Sequence, residues 1–405
     1  MASGLQGKAH DLSRMNRNPR TTRVPASSLL DIMKKGSILM MTGFRLAPCA
    51  IGLLGAAAIF ASCTGGAAQS SISATGLGTA GLTPSWMMRR GRGISAAVRS
   101  MQLQPDHHRS WVSRDATLSP RLLFESDFAA GTVSIYKMPD LRLEGVITGF
   151  DGPQGECADA SGNIWVAVTR AQQIVKLSRA GSILSTLSDP TGFPIGCAVN
   201  RSNGDLAVTN IFNLSIGPGD VLVYPGGSGS PTGLRNSAQD LYYFAGYDGK
   251  GNLIVDGFDA SGDFILSECP AGSSGCGTVT LSGGTVYYPG MVQWSGVNES
   301  WIVGDQLCGN TSTSCLYWFT VSRSAGTITN STALDNYNGS PVCDVVQAVV
   351  AANGQRYIAA GNIDSCLRRT SSIDRWASPA GGLPTNSNDH RRRRGQPTGA
   401  AISTK

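Results

Sequence analysis

The stretch from Gly152 to Asn210 constrains the fold of this chain more than any other, because it says nearly the same thing twice. GPQGECADASGNIWVAVT is answered some forty residues on by GFPIGCAVNRSNGDLAVTN. Each copy is a bend with Pro and Gly, a short strand holding a Cys, a tight turn at Gly-Asn or Gly-Asp, and an apolar strand ending in Thr. Gly and Asn tolerate the positive φ that hairpin turns require, so each copy predicts an antiparallel sheet that runs up and down. Such a unit cannot bury both faces alone and needs further copies beside it.

Those copies are present. Apolar strands recur from Leu122, Ile164, Leu206, Leu253, Trp301 and Tyr357, at spacings of 42, 42, 47, 48 and 56 residues. A period of that length with several strands per unit predicts propeller blades, and six copies predict six. In the second unit the strands read GECAD near the axis, then NIWVAVT, QIVKLS and SILSTLS towards the rim. A total of 51 Gly with 15% charged residues favours short strands and tight turns over long helices. A pair of β-sandwiches is the competing fold, and the regular repeat disfavours it.

The wording of the copies resembles NHL-type and related six-bladed propellers, in which each unit runs Pro-x-Gly, inner strand, Gly-Asn turn and apolar second strand. The likeness covers roughly Leu122 to Gly382 and extends to the gluconolactonase-like (sugar-lactone hydrolase) and surface-lipoprotein propellers. The expected fold is all-β, a six-bladed β-propeller over residues 120–382, with a disordered N-terminal signal and linker region and a disordered C-terminal tail. The last blade is the least regular, and its closing strand is expected from the segment before Leu122.

Eight of the ten cysteines lie in the repeats. An even number in an exported chain favours disulfides. Cys269 with Cys276 and Cys308 with Cys315 each frame a hairpin loop. Cys343 and Cys366 sit symmetrically about the AANGQR turn. Cys157 and Cys197 hold the same place in neighbouring units, and the pairing expected is Cys157–Cys197, Cys269–Cys276, Cys308–Cys315 and Cys343–Cys366, one of many connectivities open to eight cysteines. Zinc, the rival use, finds no CxxC pair and no histidine in the repeats.

The histidines, His10, His107, His108 and His390, all fall outside residues 120–382. A Ser-His-Asp or Cys-His relay therefore has no general base, and no catalytic residue is assigned. The streptogramin-lyase type of propeller, which depends on a catalytic His, is disfavoured for the same reason. No Gly-rich phosphate loop precedes a helix. Glu125, Asp127, Asn210, Asp256, Asp305 and Asn362 remain, each at the end of a recurring apolar strand. Two readings stay open for them. They gather at one channel mouth and hold the Ca²⁺ with which lactonase-like propellers polarise a substrate carbonyl, or they cap the turns that follow the strands. The aromatics Tyr242, Tyr243, Phe244, Tyr247, Tyr287, Tyr288, Trp294, Trp301, Tyr317 and Trp318 either pack blade on blade or stack on a ligand at the rim.

Residues 1–32 are polar and basic, and a start at Met33 or Met41 would make them a mis-called extension; otherwise they are expected to be disordered. Residues 33–62 read as a signal peptide. Lys34 and Lys35 precede an apolar run from Leu46 to Ala61 that is broken by Pro48 and shorter than the roughly 20 residues of a membrane span. Phe60-Ala61-Ser62-Cys63 resembles the lipobox of bacterial lipoproteins, which implies that Cys63 carries lipid and, with Thr64 after it, an outer-membrane destination. Cleavage near Ala61 with Cys63 unmodified is the other reading. Residues 63–119 read as a flexible linker and residues 383–405, with Arg391 to Arg394, as a basic tail. The overall charge of +6 misleads: Pro120 to Ala380 carries 14 Lys and Arg against 22 Asp and Glu. An acidic body with basic ends argues against nucleic acid as a partner. The function expected is that of an exported, lipid-anchored binding or scaffold module in the cell envelope, in the periplasm, on the outer membrane or at the cell surface. It is expected to act as a monomer without a resident cofactor, its ligand an unidentified protein, peptide or carbohydrate. A Ca²⁺-dependent hydrolase of lactones or similar esters is the alternative.

Overall fold

The turns foreseen in the sequence are built by one recurring device. Asp159 accepts hydrogen bonds from the amides of Ser161 and Asn163, Asp248 from those of Lys250 and Asn252, Asp259 from those of Ser261 and Asp263, and Asn336 from those of Asn338 and Ser340. In each the fourth residue is a glycine at φ between +72° and +88°, where a side chain would be strained. An acceptor, two amides and a left-handed glycine reverse the chain within five residues, which sets the strand period.

The computed structural model describes residues 108–215, 217–311, 313–351, 356–363, 371–389 and 395–405, all within one unit, Ser70–Lys405. The chain enters with β1 (Trp111–Val112), the short helix α1 (Arg114–Leu118), β2 (Arg121–Asp127), β3 (Thr132–Lys137) and β4 (Arg142–Thr148). A second sheet follows with β5 (Pro153–Ala158), β6 (Ile164–Val168), β7 (Gln173–Leu177) and β8 (Ile183–Ser188), and a third with β9 (Gly192–Val199), β10 (Leu206–Asn213), β11 (Pro218–Tyr224) and β12 (Thr232–Leu234). Then come β13 (Leu241–Tyr247), β14 (Leu253–Phe258), β15 (Phe264–Cys269) and β16 (Gly277–Ser282), followed by β17 (Pro289–Ser295), β18 (Ser300–Asp305), β19 (Cys315–Ser322) and β20 (Ala325–Ala333). These two antiparallel ladders merge into one eight-stranded sheet because β16 and β20 pair in parallel. The last ladder is β21 (Ala348–Ala351), β22 (Tyr357–Ile363), β23 (Ser371–Ala377) and β24 (Gly381–Asp389), and the chain ends in β25 (Pro397–Thr404).

Three sequence expectations are overturned here. Residues 383–389 and 397–404 are not a disordered tail: β24 completes the last ladder, and β25 pairs antiparallel with β2 from Arg121↔Thr404 to Asp127↔Pro397. The closing strand therefore comes from the C-terminus and not from the segment before Leu122. The end of the expected linker is also folded, since β1 adds to the outer edge of β4 and Ser113 Oγ accepts from the Ala116 amide at 3.1 Å to cap α1. Cys49, Cys63, His107, Cys366, His390 and Arg391 to Arg394 lie outside the described residues, as does the expected signal peptide.

The first strands touch in the cyclic order β25, β5, β9, β13, β17, β21 and back to β25, which is the arrangement of a β-propeller. Buried clusters fill the spaces between successive sheets. Leu122 and Phe124 meet Ile164 and Val166, Trp165 and Ile174 meet Leu206 and Val208, and Leu123 and Tyr136 meet Tyr357 and Ile373. Most of the aromatics serve this packing: Tyr243, Phe258 and Tyr288 meet edge to face at centroid distances of 5.1 to 6.0 Å.

The Pro-x-Gly bends are where the first strands bulge and nearly touch. The β5–β6, β9–β10 and β2–β25 ladders all shift register there, at Pro153, Pro194 and Pro397. A methyl added at Gly155 would lie 2.5 Å from the Ile195 carbonyl oxygen, one at Gly196 would lie 2.5 Å from that of Tyr243, and one at Gly399 would overlap that of Gln154. Hydroxyls from the second strands tie two of these carbonyls: Thr209 Oγ1 donates to Tyr243 O and Ser126 Oγ to Gln154 O, while Thr169 Oγ1, just past β6, donates to the neighbouring Pro194 O at 2.7 Å. Gly399→Val is expected to lower stability by about 2–3 kcal/mol, the order of an overpacked core site, with urea denaturation as the measurement. A neutral result would mean that the closing strand is held some other way.

Candidate functional site

A cavity of about 540 Å³ opens where the C-terminal halves of the first strands converge. Its wall is made of small side chains, with an alanine from each of five first strands: Ala158, Ala198, Ala245, Ala348 and Ala400. Trp294, Tyr247, Arg201 and Asp248 stand among its lining residues. Trp294 is half-buried and rests on Trp301 at 5.1 Å between centroids, and Arg201 is exposed. Asp248 is occupied as a turn cap, accepting also from Asn252 Nδ2 at 2.8 Å.

Two glutamines complete the wall where glycine contacts are missing. Gln293 on β17 donates Nε2 to Val350 O at 2.6 Å and accepts at Oε1 from the Val350 amide at 2.9 Å, imitating a strand partner for β21. Gln347 accepts from the Glu156 amide at 2.8 Å and the Ala400 amide at 3.1 Å and donates to Glu156 O at 2.8 Å, so it joins the β21 segment to β5 and β25.

The polar residues singled out in the sequence lie elsewhere. Asn210, Asp305 and Asp127 pair in register with Pro194, Pro289 and Pro397, at the other ends of the first strands from the cavity. Asn210 donates to Asp220 Oδ1 at 2.8 Å. Asp256 accepts from the Phe244 amide at 2.7 Å, and burial raises its carboxyl well above the usual range against the hydrogen bonds of the Phe244 and Gly290 amides. Asp305 gathers the amides of Tyr287, Tyr288 and Leu307 at 2.9 to 3.1 Å. Asn362 donates to Asp374 Oδ2 at 2.9 Å, and Asp127 accepts from the amides of Ala130 and Gln396. Glu125 is buried opposite Ala400. Most of these groups are engaged with their own turns and strands. Among the described residues no three His, Cys, Asp or Glu side chains are placed to hold a metal ion.

Three disulfides join Cys157 to Cys197, Cys269 to Cys276 and Cys308 to Cys315. Cys343 is disulfide-bonded as well, and Cys366, its expected partner, lies outside the described residues. Cys157 and Cys197 do not occupy equivalent places, however. Counted from the Gly of Pro-x-Gly, Cys157 stands one residue further along than Cys197. One residue in a strand reverses the face, so the two side chains point at each other across neighbouring sheets. Equivalent positions would point the same way around the ring.

The residue that takes the place of Cys197 in the earlier repeat is Glu156, which the sequence did not flag. It is 1% exposed, and neither carboxylate oxygen has a hydrogen-bond partner. Burial holds its carboxyl well above the usual range, and Glu125 is raised by burial and then by Asp127 and Glu156. The signal was a charged residue at a first-strand position where the other repeat carries an apolar one. Because the folded-state pKa of Glu156 is raised, its contribution is complete below the unfolded value of about 4.3 and is lost as pH climbs through the folded value. Glu156→Gln is expected to melt higher than the parent at pH 8, by about 2–4 °C, and to match it near pH 4. Melting curves at the two pH values check this, and a variant less stable at pH 8 would show that the carboxylate is satisfied.

No protein-family model and no curated protein sequence matches the chain. Solved structures do. A chain in the crystal structure of a nidogen/laminin complex is 9% identical with a TM-score of 0.52, over 70% of this chain and 98% of that one. A protein of unknown function from Bacteroides caccae is 14% identical with a TM-score of 0.53, over 71% and 100%. At these identities the likeness shows the β-propeller fold alone.

Proposed function

We propose that this chain is an exported, lipid-anchored binding module, a six-bladed propeller of the NHL-like kind, that receives its ligand in the cavity bounded by the first strands. The observation that carries this reading is the cavity itself. Its volume falls within the range of about 300–1,000 Å³ usual for small-ligand sites, and its lining combines small aliphatic walls with aromatic rings and an exposed guanidinium. Trp294 and Tyr247 offer stacking surfaces and Arg201 a fork of donors, a set suited to a segment of peptide or carbohydrate. The reading of six blades is supported by six antiparallel ladders, five of four strands and one of five, and by the cyclic contact of their first strands.

Export is supported by the disulfides, which persist in oxidising compartments. Among the described residues no helix is long and apolar enough to cross a membrane; the lipid anchor is proposed on the lipobox-like Phe60 to Cys63. Mass spectrometry of the mature amino terminus is expected to find an acylated Cys63, and an unmodified terminus upstream of it would overturn the anchor.

Screening peptide and oligosaccharide arrays tests the cavity. Ligands captured by the parent chain are expected to lose at least about tenfold in affinity, or 1.4 kcal/mol, in Trp294→Ala and Arg201→Ala, with melting temperatures unchanged. Retention of binding by the double variant would place the ligand elsewhere.

A further inference from the structure

The outermost strands differ in how their free edges are treated. β4 is covered by β1, and β16 and β20 cover each other. β12 has only three residues. β24 is bridged near its start through Leu334↔Gly382, and its Asn386 and Asn388 donate Nδ2 to the carbonyls of Pro139 and Leu141 in the first sheet. β8 ends its sheet with only β7 beside it among the described residues.

The free part of β8 is well defined. At one end Gly181 approaches the side chains of Val112 and Ile147 closely, and at the other Tyr224 Oη donates to Ser188 O at 3.1 Å. Between them every residue except Leu187 is exposed, with Ile183 at 61% and Leu184 at 53%. Trp111, 47% exposed, precedes the Val112 that meets Gly181. The sequence Ile-Leu-Ser-Thr-Leu-Ser contains no charge, no proline and no glycine, so the usual protections of a strand edge are missing.

An edge of this kind pairs with another strand, and its chemistry selects which one. A charged strand would find no opposite charge on β8. A second β8 meets neither like charges nor an unfilled counter-charge when laid antiparallel across a twofold axis, and the exposed Ile183 and Leu184 of both copies would shield one another. Within the chain two outer strands, β16 and β20, already pair edge to edge, there in parallel.

We propose that β8 is a homotypic docking strand, pairing edge to edge with β8 of a second copy to give a continuous eight-stranded sheet. This revises the monomer expected from the sequence and does not depend on the cavity having a ligand. The test is sedimentation equilibrium on the chain as recovered from cells, from about 1 to about 300 µM, a range suited to a small interface. A monomer–dimer equilibrium is expected, shifted at least about tenfold towards monomer in Ile183→Lys and Leu184→Lys and unchanged in Leu214→Lys, a control on another exposed apolar residue. Hydrogen exchange gives a second readout, because amides of Ile183–Leu187 should gain protection as concentration rises. A monomer throughout the range would overturn the proposal. So would a dimer insensitive to the β8 charges, or one lost equally in the Leu214 control.

Discussion

Everything in this propeller depends on how closely its first strands approach one another around the axis. Four junctions are made by glycine: Gly399 against Gln154, Gly155 against Ile195, Gly196 against Tyr243 and Gly246 against Val292, each a position where one added carbon would strike a backbone oxygen. The two remaining junctions flank β21 and are made by side-chain amides, Gln293 to Val350 and Gln347 to Ala400 and Glu156. Where the backbones can touch, shape complementarity holds the ring. Where they stand further apart, an amide reproduces the hydrogen bonds of a missing strand.

The cavity follows from the same constraint. First strands that pack this tightly carry small side chains, so alanines line the mouth and leave room. Polar groups that might have served chemistry are drawn instead into turns and junctions, because a buried backbone amide without a partner is costly. Asp256 shows this best, since its carboxyl group takes the Phe244 amide of its own ladder and faces the Gly290 amide of the next ladder. Glu156 is the exception, with two unpartnered oxygens beside the ring.

The relation between the two bridged cysteines shows where reading by repeat succeeds and where it misleads. Repetition brought Cys157 and Cys197 to adjacent sheets, but their bond exists because they are one residue out of step and so face each other. The closing strand teaches the complementary lesson. Pro397-Thr398-Gly399 is a third copy of Pro153-Gln154-Gly155 and Pro194-Ile195-Gly196, a signal for β25 as a first strand that the reading of residues 383–405 as a basic tail passed over.

The amino-acid sequence by itself determined the strand period, the five-residue turns, the apolar second strands and the cysteines available for bridging, because these depend on local φ/ψ preference and on alternation within a few residues. Only the tertiary structure decided where the cavity lies, which carboxylates are engaged by turns and strands, which strand closes the ring and which edge is left bare among the described residues. Those outcomes rest on contacts between residues as distant as Ser126 and Thr398, whose hydroxyls lie 3.2 Å apart, and no local preference encodes them.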